Sequence, residues 1–220
     1  MSIVLITGAS RGIGAACARR FARDGHRLAL LARPSPGLLA LADELGALAI
    51  ECDLADEAQI HAALDTVELS LGPVDVLVNN AGIVHRHTVQ GHATADWDHV
   101  MAVNLRAPFL LARGVLPGML ARGAGRILNV SSISATSGTP GLSAYCASKA
   151  GLLGLTRALA AEVKAAGVVV VAVSPGSVET DMLVGSGFAP DMSPEDVAEF
   201  IAFLAAAPKA VTGASVEVFG

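Results

Sequence analysis

The fold is decided by Ile3–Gly14, IVLITGASRGIG, where a short apolar run meets a glycine-rich turn. The apolar run Ile3–Thr7 predicts a buried β-strand, and the Ala-rich segment Gly12–Asp24 predicts a helix. Glycines permit a tight turn and a close approach of the backbone to a ligand, and the N–H groups that open a helix attract phosphate. The turn therefore predicts a phosphate-binding site, although its spacing alone also fits an ordinary strand-to-helix turn. A nucleoside-triphosphate P-loop is excluded because no Gly-Lys-Ser/Thr follows.

Strand-like apolar runs and longer amphipathic runs alternate along the rest of the chain. Strands are predicted at Ile3–Thr7, Arg27–Ala32, Ala47–Cys52, Val74–Asn79, Arg126–Ser131, Val168–Ser174 and Ser215–Val218. Helices are predicted at Gly12–Asp24, Leu38–Leu45, Glu57–Leu71, Thr94–Leu120 with a break near Pro108, Ala144–Ala166 and Pro194–Ala206. Because the strands are apolar throughout, helices are expected on both faces of the sheet. The pattern predicts an α/β, Rossmann-like, doubly wound sheet of about seven parallel strands in a single domain, residues 1–220.

Composition narrows the class of protein. Hydrophobic residues make up 53% of the 220 residues and charged residues 16%, which excludes a disordered chain. The net charge of −5 argues against nucleic acid or an anionic membrane as a partner. No uncharged apolar run reaches the roughly 18 residues of a membrane span, and no basic segment opens a signal peptide. The three cysteines, Cys17, Cys52 and Cys146, form no disulfide pattern, so a cytoplasmic protein is expected.

The end of the second predicted strand indicates which dinucleotide the turn would hold. In dinucleotide-binding folds, an acidic residue about 20 positions past the last glycine selects NAD, and an arginine selects NADP. Arg33 stands there, and Arg11 adds a second cation from the glycine turn. Two guanidinium groups suit the 2′-phosphate of NADP(H) through charge-assisted hydrogen bonds. The alternative is that Arg33 merely ends a strand in solvent.

Four motifs in one order resemble the compact short-chain dehydrogenases/reductases. They are Thr7–Gly14 (TGASRGIG), Asn79–Gly82 (NNAG), Ser132, and Tyr145–Lys149 (YCASK). The chain is most similar to 3-oxoacyl-(carrier-protein) reductases and related ketoreductases, over about residues 3–182 and again in the last helix and strand. The combination is specific, although no single motif is.

The resemblance implies residue roles. The catalytic residues would be Asn104, Ser132, Tyr145 and Lys149. Together with the turn and Arg33, it predicts cofactor contacts at Gly8, Ser10, Arg11, Gly12, Ile13, Gly14, Arg33, Asp53, Leu54, Asn80, Ala81, Gly82, Tyr145, Lys149, Pro175, Gly176, Val178 and Thr180. In this family the lysine, a water held near the asparagine and the cofactor ribose return the proton that the tyrosine gives to the substrate.

Physical chemistry supports the acid–base roles independently. Tyr145 is the only tyrosine, and Lys149 lies four residues later on a predicted helix, hence on the same face. Alone, such a pair also fits an ordinary helix surface. A neighbouring ammonium is expected to lower the pKa of the phenol from about 10 toward the working range. Ser132, directly after a strand, can donate to a substrate oxygen that gains negative charge.

Several residues and segments carry other expectations. The histidines His85, His87, His92 and His99 have no cysteine neighbour and no H-x-x-x-H spacing, so no metal site is predicted. His85 or His87 is instead expected to line the substrate entrance. The segment Met182–Met192 is predicted to be a mobile loop. It is shorter than the family's usual lid, and the chain stops directly after the last strand, so both are expected to trim the walls of the substrate pocket.

The sequence therefore predicts an NADPH-dependent reductase that converts a ketone or 3-oxoacyl carbonyl of a small molecule to a secondary alcohol. One alternative is a dehydrogenase that oxidises a sugar, steroid or hydroxyacid. Another is a dinucleotide-binding sensor without catalysis, which the intact catalytic set disfavours. The two long helices, Thr94–Leu120 and Ala144–Ala166, are more apolar than one sheet face requires, so a homodimer or homotetramer is expected.

Overall fold

All 220 residues are described by the structure, a computed structural model. Seven parallel strands form one sheet in the order β3-β2-β1-β4-β5-β6-β7. The strands are β1 Ile3–Thr7, β2 Arg27–Ala32, β3 Leu48–Glu51, β4 Val76–Asn79, β5 Gly125–Val130, β6 Val168–Pro175 and β7 Ser215–Val218. The order reverses between β1 and β4, and in such sheets ligands bind beyond the strand ends at this reversal. The predicted doubly wound sheet is confirmed.

Seven α-helices cover the two faces of the sheet. They are α1 Gly12–Arg23, α2 Pro36–Leu45, α3 Glu57–Ser70, α4 Thr94–Met101, α5 Ala107–Arg122, α6 Ser143–Val163 and α7 Pro194–Ala206. One core joins α1, α2 and α7 to the sheet, and a second joins α3, α5 and α6 to its other face. Local chemistry sets the helix starts. The side chain of Asp56 accepts from the first amides of α3, and Ser193 and Asp196 form a reciprocal cap on α7.

The long predicted helix is interrupted, but before Pro108 rather than at it. A π turn, Ala102–Arg106, separates α4 from α5. Proline has no N–H to donate to the carbonyl four residues earlier, which is that of Asn104, and its ring crowds the same carbonyl. The backbone forms a wider turn here, in which the amide of Ala107 donates to the carbonyl of Ala102. Such π turns are frequent at functional sites.

One helical stretch, Thr94–Arg122, is long and apolar enough to cross a membrane by length and composition alone, with a mean hydropathy of 1.2. Of the 18 residues within this stretch that give this mean hydropathy, 56% are buried inside the protein, against the sheet and the neighbouring helices. Its hydropathy is therefore accounted for by the core.

Two further features concern the loop before α7 and the end of α6. The segment Met182–Met192 forms no helix or strand, which agrees with the predicted loop, and an isolated bridge pairs Val178 with Met192 at its base. The helix predicted to end at Ala166 finishes as α6 at Val163, and a short 3₁₀ turn, Lys164–Ala166, continues to Gly167.

Candidate active site

The predicted site residues lie at one edge of the sheet. The carboxyl ends of β1, β4, β5 and β6 present the glycine turn, the Asn79–Gly82 segment, Ser132 and the Pro175–Thr180 segment, respectively. Helix α6 begins at Ser143, and it carries Tyr145 and Lys149 in its first two turns. The fold therefore brings the cofactor motifs and the catalytic motifs to the same edge.

The glycine turn is packed too closely for a side chain at Gly8 or Gly14. A Cβ on Gly14 would lie 2.2 Å from the carbonyl oxygen of Gly8, and a Cβ on Gly8 would lie 2.8 Å from the Cα of Ala81. Gly8 also has a φ of +65°, which L side chains rarely adopt. The turn and the segment after β4 therefore form one compact cradle.

The cradle leaves the start of α1 open. Arg11 is the N-cap residue and makes no side-chain hydrogen bond to the first amides of the helix. Exposed amides at a helix N-terminus bind phosphate well. Thr180 lies opposite, with its methyl 3.2 Å from the place of a Cβ on Gly12. A pyrophosphate between the turn and Thr180 fits this donor set.

Asn80 and Thr7 hold the cradle in shape. The Thr7 hydroxyl accepts from the backbone amides of Asn80 and Ala81, both at 3.0 Å, and the Asn80 side-chain amide donates to the Thr7 carbonyl at 2.9 Å. The same side-chain amide also donates to the carbonyl of Gly8 at 3.3 Å, so its NH2 group is committed to the turn. Sequence reasoning missed Thr7. Its place as the polar last residue of an apolar strand is the signal that identifies it.

The two arginines predicted to bind a 2′-phosphate differ in their surroundings. Arg33 is exposed directly beyond β2 and makes no ion pair or hydrogen bond. The Arg11 side chain instead pairs with Asp181, with Nε and Oδ2 3.3 Å apart. Both partners are largely exposed, so this pair is weak. Of the two arginines, Arg33 is therefore the one whose guanidinium has no protein partner.

Asp53 and Leu54 follow β3 at the adjoining part of the edge. Leu54 is buried, and the Asp53 carboxylate accepts from the amide of Ala55 at 2.9 Å. The Asp53 amide donates to the side chain of Gln59 at 2.9 Å. One carboxylate oxygen of Asp53 is thereby used in a local turn, and the other is left without a protein partner.

Pro175, the last residue of β6, and Val178 beyond it are buried, and the amide of Gly176 donates to the carbonyl of Val218 at 2.9 Å. The hydroxyl of Thr180 donates to the carbonyl of Val178 at 3.3 Å. This segment is fixed to β7 at one end and faces the glycine turn at the other, which suits a wall of the dinucleotide cleft.

Tyr145 is 9% exposed, and its burial raises the pKa of the phenol above its ordinary value. The approach of the Ser132 hydroxyl to the phenol oxygen, and the more distant charge of Arg86, offset part of this rise. The sequence-based expectation of a lowered pKa is therefore wrong for the protein without cofactor. Desolvation of the phenolate outweighs the favourable contacts, and Lys149 supplies no opposing effect.

The single tyrosine makes this correction measurable. In the cofactor-free protein, we expect the phenolate absorbance of Tyr145 to appear only above pH 10, the ordinary value of the phenol. Because the chain has one tyrosine, a pH titration in the near ultraviolet reports this residue once the Trp97 contribution is subtracted. Circular dichroism at each pH confirms that the protein is still folded. A midpoint below 10 in folded protein would contradict the dominance of burial.

Lys149 is 3% exposed, and burial lowers the pKa of its ammonium to about 8. Its Nζ donates to the carbonyl of Val130 at 2.7 Å and lies 5.7 Å from the centre of the Tyr145 ring. A Cβ on Gly82 would lie 3.4 Å from the same Nζ, so the lysine tip sits between α6 and the segment after β4. A lysine with a pKa near 8 can both hold and release a proton at neutral pH.

The buried lysine predicts a pH-dependent stability. The folded protein releases the Lys149 proton near pH 8, whereas the unfolded chain holds it to about 10.5. Between these values the unfolded chain binds more protons, so the free energy of unfolding rises with pH, by about 2 kcal/mol between about pH 7 and 9.5. Urea unfolding of the cofactor-free protein measures the rise, and Lys149→Met should flatten it. A wild-type curve as flat as that of the Met variant would rule out the depressed pKa.

Asn104 lies in the π turn and is fully buried. Its side chain accepts from the amide of Ile83 at 2.9 Å and donates to the carbonyl of Ile83 at 2.9 Å and to the hydroxyl of Ser148 at 3.1 Å. These bonds fix the segment after Gly82 to α6. The role of Ser148 was missed by sequence reasoning, since a serine inside YCASK gives no separate signal.

Ser132 follows β5 in extended conformation and begins a short 3₁₀ turn, Ile133–Ala135. Its hydroxyl oxygen accepts from the amide of Ser134 at 3.1 Å, which leaves the hydroxyl hydrogen free to donate elsewhere. The side chain is only partly buried. Ser132 and Tyr145 can therefore direct two hydrogen bonds toward one substrate oxygen.

Comparison with known proteins finds a matching family model and several related reductases. The family model described as short chain dehydrogenase matches residues 2–187. The chain is 38% identical over 182 residues to 3-oxoacyl-[acyl-carrier-protein] reductase FabG of Escherichia coli (strain K12), covering 82% of this chain and 75% of the relative. It is 36% identical over 235 aligned residues to the FabG reductase of Vibrio cholerae, with 99% and 96% coverage.

Two further similarities bear on chemistry and cofactor. The chain is 40% identical over 185 residues to D-threitol dehydrogenase of Mycolicibacterium smegmatis, covering 82% of this chain and 71% of the relative. Among solved structures, a blue fluorescent protein from a metagenomic library, in complex with NADPH, superposes with a TM-score of 0.92 at 38% identity. That match covers 100% of this chain and 96% of the other.

Proposed function

Because the chain belongs to the short-chain dehydrogenase family, we propose that it is an NADPH-dependent oxidoreductase that reduces a ketone or 3-oxoacyl carbonyl to a secondary alcohol. The observation that carries the proposal is the buried phenol of Tyr145 with Ser132 and Lys149 beside it. Similarity to reductases named for 3-oxoacyl-[acyl-carrier-protein] supports the substrate class. Similarity to a protein solved with NADPH supports the cofactor.

The donor set of the cleft fits NADP(H). The packed glycine turn and the open start of α1 would hold the pyrophosphate, and the unpaired Arg33 would hold the 2′-phosphate. Asp53 and Leu54 would contact the adenine, and Ala81 and Gly82 the ribose beside it. The segment Pro175–Thr180 would hold the nicotinamide carboxamide.

Tyr145 would act as the general acid. When bound, NADPH supplies the hydride for the carbonyl carbon. The raised pKa of Tyr145 keeps the phenol protonated at neutral pH, so it can give its proton to the carbonyl oxygen as negative charge develops there. Ser132 would donate a second hydrogen bond to the same oxygen and stabilise that charge.

The proton must then return to Tyr145 from a group that can release one. Lys149, whose pKa is lowered to about 8, is suited to this role. Pro108 deprives the carbonyl of Asn104 of a helical partner, and the Asn104 side chain lies against Gly82 near the lysine tip. A water molecule that donates a hydrogen bond to the main-chain carbonyl of Asn104 would connect Lys149 to solvent.

The substrate wall is supported by two segments. The guanidinium of Arg86 donates to the carbonyl of Met182 at 2.9 Å, which joins the loop after β4 to the Met182–Met192 loop. That loop exposes the apolar side chains of Val184 and Phe188, which are 78% and 60% exposed. An apolar acyl or alkyl group next to the reacting carbonyl would cover them.

The test is turnover with defined carbonyl compounds. We expect NADPH oxidation with activated ketones and 3-oxoacyl thioesters, and product analysis should find the secondary alcohol. A protein that binds NADPH but oxidises it with no member of the panel would instead be a dinucleotide-binding sensor.

Oxidation of a secondary alcohol is the second candidate, and the 40% identity to D-threitol dehydrogenase supports it. Running the panel in both directions, with polyols, steroids and hydroxyacids and oxidised cofactor, separates the two. Faster oxidation of an alcohol than reduction of every ketone would favour the dehydrogenase.

We also propose that the protein is cytoplasmic and assembles into a homodimer or homotetramer. Its three unpaired cysteines are consistent with a reducing compartment. On α5, the apolar side chains of Phe109 and Leu120 are 45% and 43% exposed. Association through this helix would bury them.

Light scattering at micromolar concentration is expected to give the mass of a dimer or tetramer. Phe109→Asp should lower the mass, because a carboxylate in an apolar interface is costly to desolvate. Leu69→Asp on α3, which is 88% exposed and outside the α5 surface, is the matched control and should keep the wild-type mass. A monomeric wild-type mass would contradict the proposal.

A further inference from the structure

Four histidines gather beside the substrate entrance, in the loop after β4 and the adjoining helix α4. The ring centres of His85 and His87 are 6.5 Å apart, those of His85 and His99 are 6.0 Å apart, and those of His87 and His92 are 5.3 Å apart. None of these side chains has a role in the proposed reaction.

Three ligand groups in this cluster converge on one point. One ligand atom from each of His85, His87 and Asp96 lies within 4.8 Å of the other two. The Nε2 of His87 is 3.7 Å from Oδ2 of Asp96. Ligand atoms about 2.1 Å from a tetrahedral Zn²⁺ ion are about 3.4 Å from one another. A small movement of the three side chains toward one another would therefore bring all three ligand atoms within bonding distance of one ion.

Three ring nitrogens in the cluster lack partners. His85 Nε2 and both ring nitrogens of His92 are buried and make no hydrogen bond. Buried polar atoms in folded proteins are nearly always bonded, and an ion is one of the few species that satisfies an imidazole nitrogen in such a place. His85, which carries one of these unpartnered nitrogens, is also one of the three residues whose ligand atoms converge.

We propose that His85, His87 and Asp96 bind one divalent transition-metal ion of the Zn²⁺ type, with water completing the coordination. Two imidazoles and a carboxylate are a donor set that Zn²⁺ accepts. The sequence predicts no metal site because it shows only the H-x-H pair, whereas the third ligand comes from α4 and is brought in by the fold.

The ion would fasten the loop that borders the catalytic tyrosine. Asp96 belongs to the first turn of α4, whereas His85 and His87 belong to the preceding loop. The amide of His87 donates to the carbonyl of Gly141 at 3.0 Å, directly before the start of α6. Coordination would therefore hold the entrance wall between α4 and α6, which makes this a positioning site and not part of the acid–base chemistry.

The test uses tag-free protein, stripped with a chelator and titrated with Zn²⁺, and with Co²⁺ as a spectroscopic probe. We expect one ion per chain, visible Co²⁺ bands that Zn²⁺ abolishes, and a higher melting temperature with metal. His87→Ala and Asp96→Asn should each weaken Zn²⁺ binding at least about 10-fold. Removing a residue that only hydrogen-bonds to a metal ligand already lowers metal affinity by about that factor.

His61→Ala is the matched control. His61 and Glu57 on α3 form a histidine–carboxylate pair with the same 3.7 Å separation but no third ligand. This variant should bind Zn²⁺ like wild type. If His87→Ala and Asp96→Asn fold normally and bind as wild type does, or if His61→Ala loses as much affinity as they do, the site does not exist. NADPH binding should be the same in all of these proteins, so the result does not depend on the proposed reaction.

Discussion

Replacing Tyr145 by phenylalanine is expected to lower turnover by about 10²–10⁴-fold, the usual contribution of a positioned proton donor. The ring still fills its space, so the free energy of unfolding should change by no more than about 1 kcal/mol, the scale of one hydrogen bond. Steady-state NADPH oxidation with the best ketone substrate measures turnover, and fluorescence titration measures cofactor binding.

Lys149→Ala provides the contrast. The resemblance to the family implies that Lys149 also contacts the nicotinamide ribose. The Lys149→Ala variant should therefore lose affinity for NADPH as well as turnover, whereas Tyr145→Phe should lose turnover alone. A phenylalanine variant that keeps more than a tenth of wild-type turnover would overturn the assignment of Tyr145 as the general acid.

Replacing Arg33 by aspartate is expected to reverse the cofactor preference. The wild-type protein should prefer NADPH to NADH by at least about 10-fold, because losing a forked arginine–phosphate contact costs more than about 1.4 kcal/mol. An aspartate at the same position repels the 2′-phosphate and can accept from a ribose hydroxyl, as the acidic residue of NAD-binding folds does. Dissociation constants for both cofactors in both proteins measure the reversal.

Arg23→Asp is a suitable control, because Arg23 is an exposed arginine at the end of α1, at the opposite end of the helix from the glycine turn. It changes the net charge equally, so a preference altered only by Arg33→Asp excludes a general electrostatic effect. Equal affinity of the unmodified protein for NADPH and NADH would contradict the role of Arg33.

The fold could be predicted because its signals are local. Strands β1, β2 and β7 have the predicted bounds. In β1 and β2, an apolar run that is followed by a glycine or a charged residue leaves little freedom in where the buried strand ends. The interruption of the long helix was only approximately placed. Proline acts through the carbonyl four residues before it, so the altered turn contains Asn104 and ends before Pro108.

The motifs predict which residues the fold brings together at this edge of the sheet, but they do not predict the energetics of those residues. The motifs identify Tyr145 and Lys149, yet the directions of their pKa shifts depend on how completely the fold removes each group from water. That burial is set by the packing of α6 against β5 and the segment after β4, which no spacing reveals. The sequence did not indicate Asp96 as a possible metal ligand for a similar reason. Only the packing of α4 against the preceding loop places Asp96 beside His85 and His87.

The central claim is that this chain transfers a hydride from NADPH to a carbonyl carbon, with a proton from Tyr145. Single-turnover reactions with NADPH deuterated at either face of C4 test it most directly. The account predicts that one labelled form alone places one deuterium on the carbinol carbon of the product, since a cleft that held the nicotinamide in one orientation would present one face of C4 to the carbonyl. NADPH that binds but leaves every carbonyl compound unreduced, or product that carries no deuterium from either form, would contradict it.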